Sequence, residues 1–402
     1  AGWRGAGVRL GSLCSGAGSL DLAVEQVFGA ETVWHCELPT ITEKDGRTRH
    51  NAAVDVLSAR WPGVPNHGDL IATDWAAVEP VDIMCAGWPC QPWSAAGKRK
   101  GAADERAIWP FIADAVRVLR PRIIVLENVA TVARAGELER VANSLARIGY
   151  DLRWTCLRAS DVGAPHQRKR IFILAELADA ARDRRHQGWP EPAWQLRGSD
   201  AAERGAGPIE LLPTPSCADG GGGHLTRSGD RGGELLLPGV ARAHGNGKLL
   251  PTPTARDHKG HNQRQDETCL TGALLPTPNA ADSHRGPDLA RENRDGSGGD
   301  DLQTIIYKTG RDETWGKYAL AIHRWEQLTR SAPNPTEPNR NGNPRLNPAF
   351  SEWMMGWPAG WVTDVPGISR NDQLRIIGNG VVSQCASAAL RWLLSVDCGV
   401  AA

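Results

Sequence analysis

The sequence predicts an α/β fold in which a parallel β-sheet is covered by helices on both faces. Short apolar runs alternate with segments of helical periodicity from Val8 to about Glu176. A glycine turn joins the first of these runs to the first helical segment. A second α/β-like section begins near Arg345, after a long stretch of different composition. Alternation of strands with helices is typical of parallel sheets that are buried on both sides.

Five apolar runs are predicted to be buried strands because each is short and bounded by polar or turn-forming residues. They span residues 8–13, 32–37, 81–85, 122–126 and 170–174. The last of them follows a basic segment and is interpreted as an edge-like strand.

Helices are predicted between these strands from apolar residues at helical spacing. One helix is expected to begin near Leu20, and two more are expected in residues 349–356 and 381–394. Two others are marked by the series Ile108, Phe111, Ala115, Val116 and Leu119, and by Leu138, Val141, Leu145 and Ile148 before Gly149.

Changes in composition divide the chain into residues 1–176, 177–344 and 345–402. The middle section is rich in Gly, Pro, Arg, Asp and His and repeats the pentapeptide Leu-Leu-Pro-Thr-Pro at 211–215, 249–253 and 274–278. Since proline disfavours helix and restricts the preceding residue, the repeats are expected to be extended segments that act as scaffold. The last section is expected to return to the sheet and complete the first domain.

Overall composition leaves the class of partner open. Lys plus Arg and Asp plus Glu both total 46, so any nucleic-acid surface must arise from local clustering of charge. The nine cysteines form no Cys-x-x-Cys pair, which argues against a disulfide framework or a structural zinc site. Residues 1–7 lack an apolar signal core, and no apolar run approaches a membrane span. These features predict a soluble, cytoplasmic protein that is not bound to a membrane.

Three features indicate a nucleotide-like ligand. The first strand ends in the turn Ser15-Gly16-Ala17-Gly18, which lets a ligand approach the backbone. Glu37 at the end of the second strand can accept hydrogen bonds from ribose hydroxyls, and Asp69 in Gly-Asp-Leu can accept from an adenine amino group. Each feature alone is equally explained by a tight turn or a solvated charge, but together they favour a binding site.

Cys90 is the candidate nucleophile. It lies between Pro89 and Gln91-Pro92 in the loop after the strand 81–85, where α/β enzymes place ligands. A free cysteine is more often a small buried apolar residue, but a rigid loop between prolines is not a core setting. Glu127 ends the neighbouring strand, so a thiol and its acid partner can meet there.

A basic segment, Pro165-His-Gln-Arg-Lys-Arg170, precedes the strand 170–174. Such a cluster is usually a solvated face. If the segment is extended, however, the alternate side chains of Arg168 and Arg170 point to the same side.

Taken in order, these motifs resemble those of the bacterial and phage cytosine-5 DNA methyltransferases. The series covers roughly half of the chain and ends in Gly378-Asn379-Gly380-Val381. The resemblance implies a Rossmann-like sheet that depends on S-adenosylmethionine, with no metal, plus a smaller irregular target-recognition domain in residues 177–344. It also implies double-stranded DNA as partner; the chain is expected to be a monomer, and a companion restriction nuclease is left open.

The resemblance implies that the residues of this chain that match the family's motifs have the same roles in the reaction. The Cys90 thiolate would add to C6 of a flipped-out cytosine, and C5 would take the methyl group. Glu127 would hydrogen-bond the base, and Arg168 and Arg170 would grip its carbonyl. Pro89, Gln91 and Ser94 would form the loop at the base. The cofactor site would comprise Ser15, Gly16, Ala17, Gly18, Glu37, Leu38, Asp69, Leu70, Asn379 and Gly380.

Several positions depart from the family's pattern. Cys14 stands where Phe is common, Trp88 and Trp93 replace smaller residues or Phe, His166 aligns with Gln, and Gly380 with Ser. The connection between Glu37 and Gly68 is also longer than typical, around residues 43–50.

Two alternative functions are weighed against methyl transfer. One is a catalytically impaired, methyltransferase-like DNA-binding protein. The other is a thiol hydrolase that pairs Cys90 with His166, which leaves Glu37, Asp69, Glu127 and Asn379 unexplained.

Overall fold

The structure is a computed structural model that describes residues 7–42, 46–88, 108–134, 136–178, 273–284, 286–288, 300–309 and 315–396. Within these residues one six-stranded mixed sheet is accompanied by two short antiparallel hairpins. The predicted α/β class is therefore confirmed.

Five of the ten described strands lie close to the five predicted positions, and the other five were not predicted. In chain order the strands are β1 (Val8–Leu13), β2 (Ala30–Cys36), β3 (Thr40–Thr42), β4 (Thr48–His50), β5 (Ile83–Gly87), β6 (Ile123–Val129), β7 (Tyr150–Leu157), β8 (Arg170–Leu177), β9 (Thr336–Pro338) and β10 (Pro344–Leu346).

The described α-helices are numbered in the same way. They are α1 (Ser19–Phe28), α2 (Ala53–Arg60), α3 (Trp109–Leu119), α4 (Glu137–Ala146), α5 (Leu302–Thr309), α6 (Ala319–Leu328), α7 (Pro348–Met354), α8 (Arg370–Asn379) and α9 (Ser383–Ser395).

The sheet has the strand order β2-β1-β5-β6-β8-β7. Strands β2, β1, β5 and β6 are parallel, whereas β8 runs antiparallel to both β6 and β7. The prediction that β8 is edge-like was wrong, because β7 pairs with it along its whole length. The sheet is mainly parallel, as predicted, and β8 is the strand in it that runs opposite to the other five.

An apolar core lies on each face of the sheet. On one face Leu10, Ile83 and Val125 pack with α1 and α9, and on the other Met84, Ile124 and Leu126 pack with α3 and α4. Alternate residues of one strand thus serve opposite cores, which is why the central strands are apolar at nearly every position.

The C-terminal section packs directly against the first βα unit. Ser19 Oγ accepts a hydrogen bond from Val381 N at 2.9 Å, and Ser383 Oγ donates to Ser19 O at 2.9 Å. Trp361 Nε1 donates to Ala17 O at 2.9 Å. These bonds join α1 to the residues before and within α9.

The division of the chain into three sections stays a prediction. Most of residues 177–344, including the repeats at 211–215 and 249–253, lie outside the described residues. In the third repeat, Leu274 and Leu275 are buried. Residues of α5 and α6 share one core cluster with the sheet and α9, so part of the middle section packs with the first domain.

Among the described residues, no helix is both long and apolar enough to cross a membrane.

Candidate active site

A cavity of about 420 Å³ opens at the carboxyl ends of β1, β2, β5 and β6. Its size suits a small ligand, and its position is the one at which open α/β sheets bind theirs. Of the ten predicted cofactor residues, nine line it: Ser15, Gly16, Ala17, Glu37, Leu38, Asp69, Leu70, Asn379 and Gly380.

The glycine turn after β1 forms one wall of the cavity. Cys14, Gly16 and Gly18 have positive φ angles of 51°, 55° and 72°, a conformation that glycine adopts without steric cost. Gly18 is the predicted cofactor residue that does not line the cavity. It precedes α1, and a Cβ atom there would overlap the Trp61 ring.

Glu37 is held by hydrogen bonds from both sides. Its Oε2 accepts from Gly16 N at 2.9 Å and its Oε1 accepts from Asn51 Nδ2 at 2.8 Å. Burial raises the pKa of the Glu37 carboxyl, while these two hydrogen bonds act to lower it. Asn51 also lines the cavity but was missed by sequence reasoning, because an isolated Asn after a polar hairpin has no distinguishing pattern.

Asp69 lies in the turn that follows Gly68. Its Oδ1 accepts a hydrogen bond from Ile71 N at 2.8 Å. This bond orders the turn and engages one of the two carboxylate oxygens. The Glu37 and Asp69 segments are joined by Asn66, whose Oδ1 accepts from Glu37 N at 2.9 Å and from Gly68 N at 3.2 Å. Two carboxylates, one after β2 and one in the segment between α2 and β5, are thereby brought to one cavity.

The far wall comes from the C-terminal section. Asn379 is the last residue of α8, and Gly380 follows it. A side chain on Gly378 would overlap the backbone of Asn279 and Ala280, and one on Gly380 would overlap the Trp357 ring. Both glycines are therefore required by close packing, which explains the absence of Ser at 380.

Glu127 and Arg170 form a buried ion pair at the floor of the cavity. Arg170 Nε lies 3.0 Å from Glu127 Oε1, with 20% and 9% of the two side chains exposed. Burial raises the pKa of the Glu127 carboxyl, and the charges of Arg170 and Arg168 oppose that rise. The pair joins the ends of β6 and β8, which are adjacent in the sheet.

Arg168 does not face the same way as Arg170, contrary to the sequence prediction. The chain has φ +34° at Arg168 and enters β8 only at Arg170, so strand alternation does not apply. Arg168 donates to Pro278 O at 3.0 Å, to Gly378 O at 2.9 Å and to Gly380 O at 2.5 Å. Its guanidinium therefore ties the basic segment to the C-terminal wall.

His166 is fully buried and lies away from the cavity lining. Its Nε2 is 3.0 Å from Met354 O, so the ring is neutral and donates that proton to the carbonyl. Burial, followed by the charge of Arg168, lowers its pKa to about 3. This imidazole is unsuited to act as a general base, and the structure gives the thiol hydrolase alternative no support.

The thiols that line the cavity are poor nucleophiles. Burial raises the pKa of Cys14 and Cys85 well above the ordinary value, and it raises that of Cys36 to about 12. Since the thiolate is the reactive form, these three cysteines stay protonated near neutral pH.

Pro89, Cys90, Gln91 and Ser94, like Trp93, lie outside the described residues. The described segment ends at Trp88, which lines the cavity and packs against Trp109 with ring centroids 5.6 Å apart. Asn128 Nδ2 donates to Trp88 O at 3.3 Å. Trp88, which is two positions before Cys90 in the sequence, thus lies next to the end of β6 that carries Glu127.

In the described part of the chain, no group of three or more His, Cys, Asp and Glu side chains is arranged to hold a metal ion.

The geometry can be set beside known proteins. The family model described as C-5 cytosine-specific DNA methylase matches residues 8–205. The match spans 198 of the 402 residues, and through this segment the chain is similar to that family. The matched segment includes the cavity walls from β1, β2, β5 and β6 as well as the Glu127–Arg170 pair.

Similar proteins include named type II methyltransferases. That called M.HhaI, of Haemophilus parahaemolyticus, is 32% identical over 172 residues, which are 42% of this chain and 49% of the relative. M.NgoBI of Neisseria gonorrhoeae is 28% identical over 270 residues, 59% of this chain and 79% of the relative. The chain thus spans about half the length of the first of these relatives.

Among solved structures, the S. pombe Dnmt2 methyltransferase is similar with a TM-score of 0.51 and 16% identity. The similarity covers 96% of this chain and 98% of that chain. It supports the mainly parallel α/β fold of this chain.

Proposed function

We propose that this protein transfers a methyl group from S-adenosylmethionine to C5 of a cytosine that is flipped out of double-stranded DNA. The observation that carries the proposal is the meeting of two sets of groups in one cavity. Carboxylates suited to a nucleoside, Glu37 and Asp69, line it together with the Glu127–Arg170 pair. The strand beside that pair leads to Cys90.

The residues present fit S-adenosylmethionine. Glu37 and Asp69 are acceptors for ribose hydroxyls and an adenine amine, and the glycine turn lets a ligand approach the backbone. Leu38, Leu70 and Gly380 supply apolar or open walls. When bound there, the cofactor supplies an electrophilic methyl group.

Cys90 is the proposed nucleophile. Its thiolate would add to C6 of cytosine and form an S–C6 bond, and the ring electrons would shift toward C5. C5 would then take the methyl group while the sulfur–methyl bond of the cofactor breaks and S-adenosylhomocysteine leaves. Loss of the C5 proton returns an electron pair to the C5–C6 bond and expels the thiolate. The protonated state of Cys14, Cys36 and Cys85 argues against these three cavity thiols as the nucleophile.

Glu127 and Arg170 are the proposed partners of the base. Because burial raises the pKa of Glu127, its carboxyl is suited to donate a proton toward N3 as negative charge develops on the ring. Arg170 keeps one carboxyl oxygen fixed and offers its remaining N–H groups to the base carbonyl. Arg168 is proposed to act indirectly, by holding the Gly378–Gly380 segment against the cavity.

Residues 177–344 are proposed to contain the domain that contacts DNA in the major groove. The sheet domain and the section after residue 344 would hold the cofactor and the flipped base.

A covalent-trapping experiment tests the proposal. The full chain is incubated with labelled S-adenosylmethionine and duplex DNA of mixed sequence, with and without 5-fluorocytosine. The natural DNA should gain label at C5, and the fluorinated DNA should form a complex that survives denaturation, because fluorine at C5 blocks release of Cys90.

The matched controls are Cys90→Ser and Cys385→Ser, the latter removing a buried thiol on α9. Cys90→Ser should abolish label transfer and trapping, while Cys385→Ser should retain both. Trapping by Cys90→Ser would overturn the assignment of the nucleophile. Binding of DNA by the wild-type chain without any transfer would instead establish the impaired DNA-binding alternative.

A further inference from the structure

The third copy of the proline-rich repeat is docked on the sheet domain through its leucine pair. Leu274 and Leu275 are 1% and 2% exposed. Leu275 N donates to Pro165 O at 2.8 Å, and Leu275 forms an isolated parallel β-bridge with His166. The start of the repeat is therefore paired with the basic segment as a strand residue is, and its two apolar side chains are removed from water.

The remainder of the repeat is fixed by backbone contacts. Arg168 N donates to Thr277 Oγ1 at 3.3 Å, and Arg168 Nη1 donates to Pro278 O at 3.0 Å. The peptide bond that follows Asn279 packs against Gly378 so closely that a Cβ atom on this glycine would overlap it. We call the surface that receives the repeat the repeat-docking site; it comprises Pro165, His166, Arg168 and Gly378.

A capping box ends the docked segment. Asn279 Oδ1 accepts from Ala281 N at 2.9 Å, and Asp282 Oδ2 accepts from Asn279 N at 2.9 Å. These bonds satisfy backbone N–H groups at the start of the short 3-10 helix Ala280–Ser283. Asp282 is buried. The carboxylate at the ninth place of the segment is thus as necessary to its shape as the leucines are to its burial.

The same nine-residue pattern occurs twice more in the chain. Residues 211–219, 249–257 and 274–282 share Leu-Leu-Pro-Thr-Pro at their first five places and Asp at the ninth. The six shared residues include the leucine pair, the threonine that binds the basic segment and the aspartate of the capping box. The repeat is therefore longer than its pentapeptide, and its shared residues are those that make contacts in the third copy.

The copies differ at places where the structure tolerates a change. At the sixth place the exposed Asn279 corresponds to Ser216 and Thr254, which are also favoured N-cap residues. At the eighth place the partly exposed Ala281 corresponds to Arg256 in the second copy. The side-chain contacts of the third copy are therefore available to the other two.

We propose that the repeat-docking site is not reserved for the third copy: residues 249–257 occupy it in exchange with residues 274–282. The second copy is favoured over the first at the seventh place, where the chain packs most closely on the site. There Ala280 corresponds to Ala255 in the second copy and to the larger Cys217 in the first.

Exchange moves the chain by 25 positions relative to the sheet domain. It leaves 25 fewer residues between β8 and the repeat-docking site, and 25 more between that site and α5. Because loop-closure entropy changes slowly with loop length, both arrangements are accessible to one chain. The section that is proposed to contact DNA thus has two registers on a single sheet domain.

Photochemical cross-linking of the full chain tests the exchange. Benzoylphenylalanine in place of Ala281 should cross-link to α8, because residues 280–283 pack against that helix. In place of Arg256 it should cross-link to the same helix in a minor fraction of molecules. That fraction should rise about tenfold or more in Leu275→Asp, since a buried charge expels the third copy from the site. Mass spectrometry of proteolytic fragments identifies and quantifies the products.

Leu250→Asp is the matched change in the second copy. Added to Leu275→Asp, it should remove the cross-link from position 256 to α8, whereas alone it should leave the cross-link from position 281 unchanged. Asp282→Ala, which loses the capping box and keeps both leucines, should raise the fraction about fivefold, as loss of one cap does. It serves if Leu275→Asp does not fold.

Absence of a cross-link from position 256 to α8 in both Leu275→Asp and Asp282→Ala would overturn the exchange. A stronger cross-link to α8 from benzoylphenylalanine in place of Ala218 would overturn the choice of the second copy. Thermal unfolding is an independent measure: Leu250→Asp should lower the Tm in the Leu275→Asp background and leave it unchanged in the wild type. An unchanged Tm in both backgrounds would contradict the exchange, and none of these outcomes depends on methyl transfer.

Discussion

Arg170 Nε lies 3.0 Å from Glu127 Oε1, and the two residues come from adjacent antiparallel strands. The ion pair therefore depends on the sheet register and not on sequence proximity. It keeps a buried carboxyl at the cavity floor while opposing the rise of its pKa that burial causes. Both the fold and the proposed chemistry depend on this balance.

Glu127→Ala should lower the methyl-transfer kcat by about 100- to 1,000-fold, comparable to the loss of one preorganised group that stabilises transition-state charge. Glu127→Gln keeps an N–H donor and should retain more activity than Glu127→Ala. Single-turnover rates with saturating DNA measure both. A kcat within threefold of the wild type in Glu127→Ala would show that this carboxyl is structural.

Arg170→Ala should shift the pH dependence of the reaction. Arg170 lowers the pKa of Glu127, so its removal lets that pKa rise further and the protonated carboxyl persist to higher pH. If protonated Glu127 donates to the base, the alkaline loss of single-turnover rate will occur at higher pH in Arg170→Ala than in the wild type. A shift toward lower pH would contradict the proposed role of the carboxyl as donor.

Arg168→Ala should destabilise the fold by about 3 kcal/mol, because buried carbonyls lose a charged donor. It should also weaken cofactor binding, since Arg168 holds Gly378 and Gly380. Urea unfolding and calorimetry measure the two effects. Arg117→Ala, which breaks an exposed pair with Asp114, is the control and should change stability by less than about 0.5 kcal/mol. Equal stability of the two variants would refute the role assigned to Arg168.

His166 should make the protein less stable in mild acid. Its folded pKa of about 3 lies below the ordinary 6.5, so the unfolded chain takes up a proton that the folded chain refuses. Its contribution to stability is thus complete above pH 6.5 and is lost as pH falls from 6.5 toward 3.

His166→Gln removes this titration and keeps a donor for Met354 O. The difference in unfolding free energy between pH 7.5 and pH 5 should shrink by about 2 kcal/mol in the variant. The exposed His323→Gln serves as control. An unchanged difference in His166→Gln would show that His166 does not resist protonation.

Gly380→Ser should cost about 1–3 kcal/mol of stability through overpacking, although Ser is frequent at this position in the resembling family. The cause is Trp357, whose ring would overlap the added side chain and whose Nε1 donates to Val381 O at 2.7 Å. Gly286→Ser, at a position with open space around the glycine, is the control in thermal unfolding. A neutral Gly380→Ser variant would mean that Trp357 can move aside.

The sequence predicts best where residues repeat with a clear period. The central strands and α4 are visible because nearly every strand position, or every third to fourth helix position, is apolar and buried. Within α3, Phe111 was predicted to be core, yet 38% of it is exposed and Ile112 is buried instead. The helical period alone does not decide between adjacent apolar residues.

Prediction fails where burial is partial or contacts are distant. Strand β7 alternates Tyr150, Asp151, Leu152 and Arg153, which leaves no apolar run, so neither it nor the internal place of β8 was foreseen. Helix α8 was not predicted either, because most of its residues are polar and they show no apolar period. Among the site residues, Arg168 could not be separated from Arg170 without the positive φ that turns it toward carbonyls more than 100 positions away.

The hydrogen bonds of Ser19 to Val381 and Ser383 span more than 360 positions, and such distant pairing slows folding because the intervening loop must close first. On the ribosome, the glycine turn and β2 emerge long before the segment that forms the opposite wall of the cavity. A nascent chain therefore has half of a cofactor pocket until residues 372–395 are released. Cofactor capture should therefore follow the synthesis of residues 372–395, and a chain cut short before Arg370 should gain no stability from S-adenosylhomocysteine.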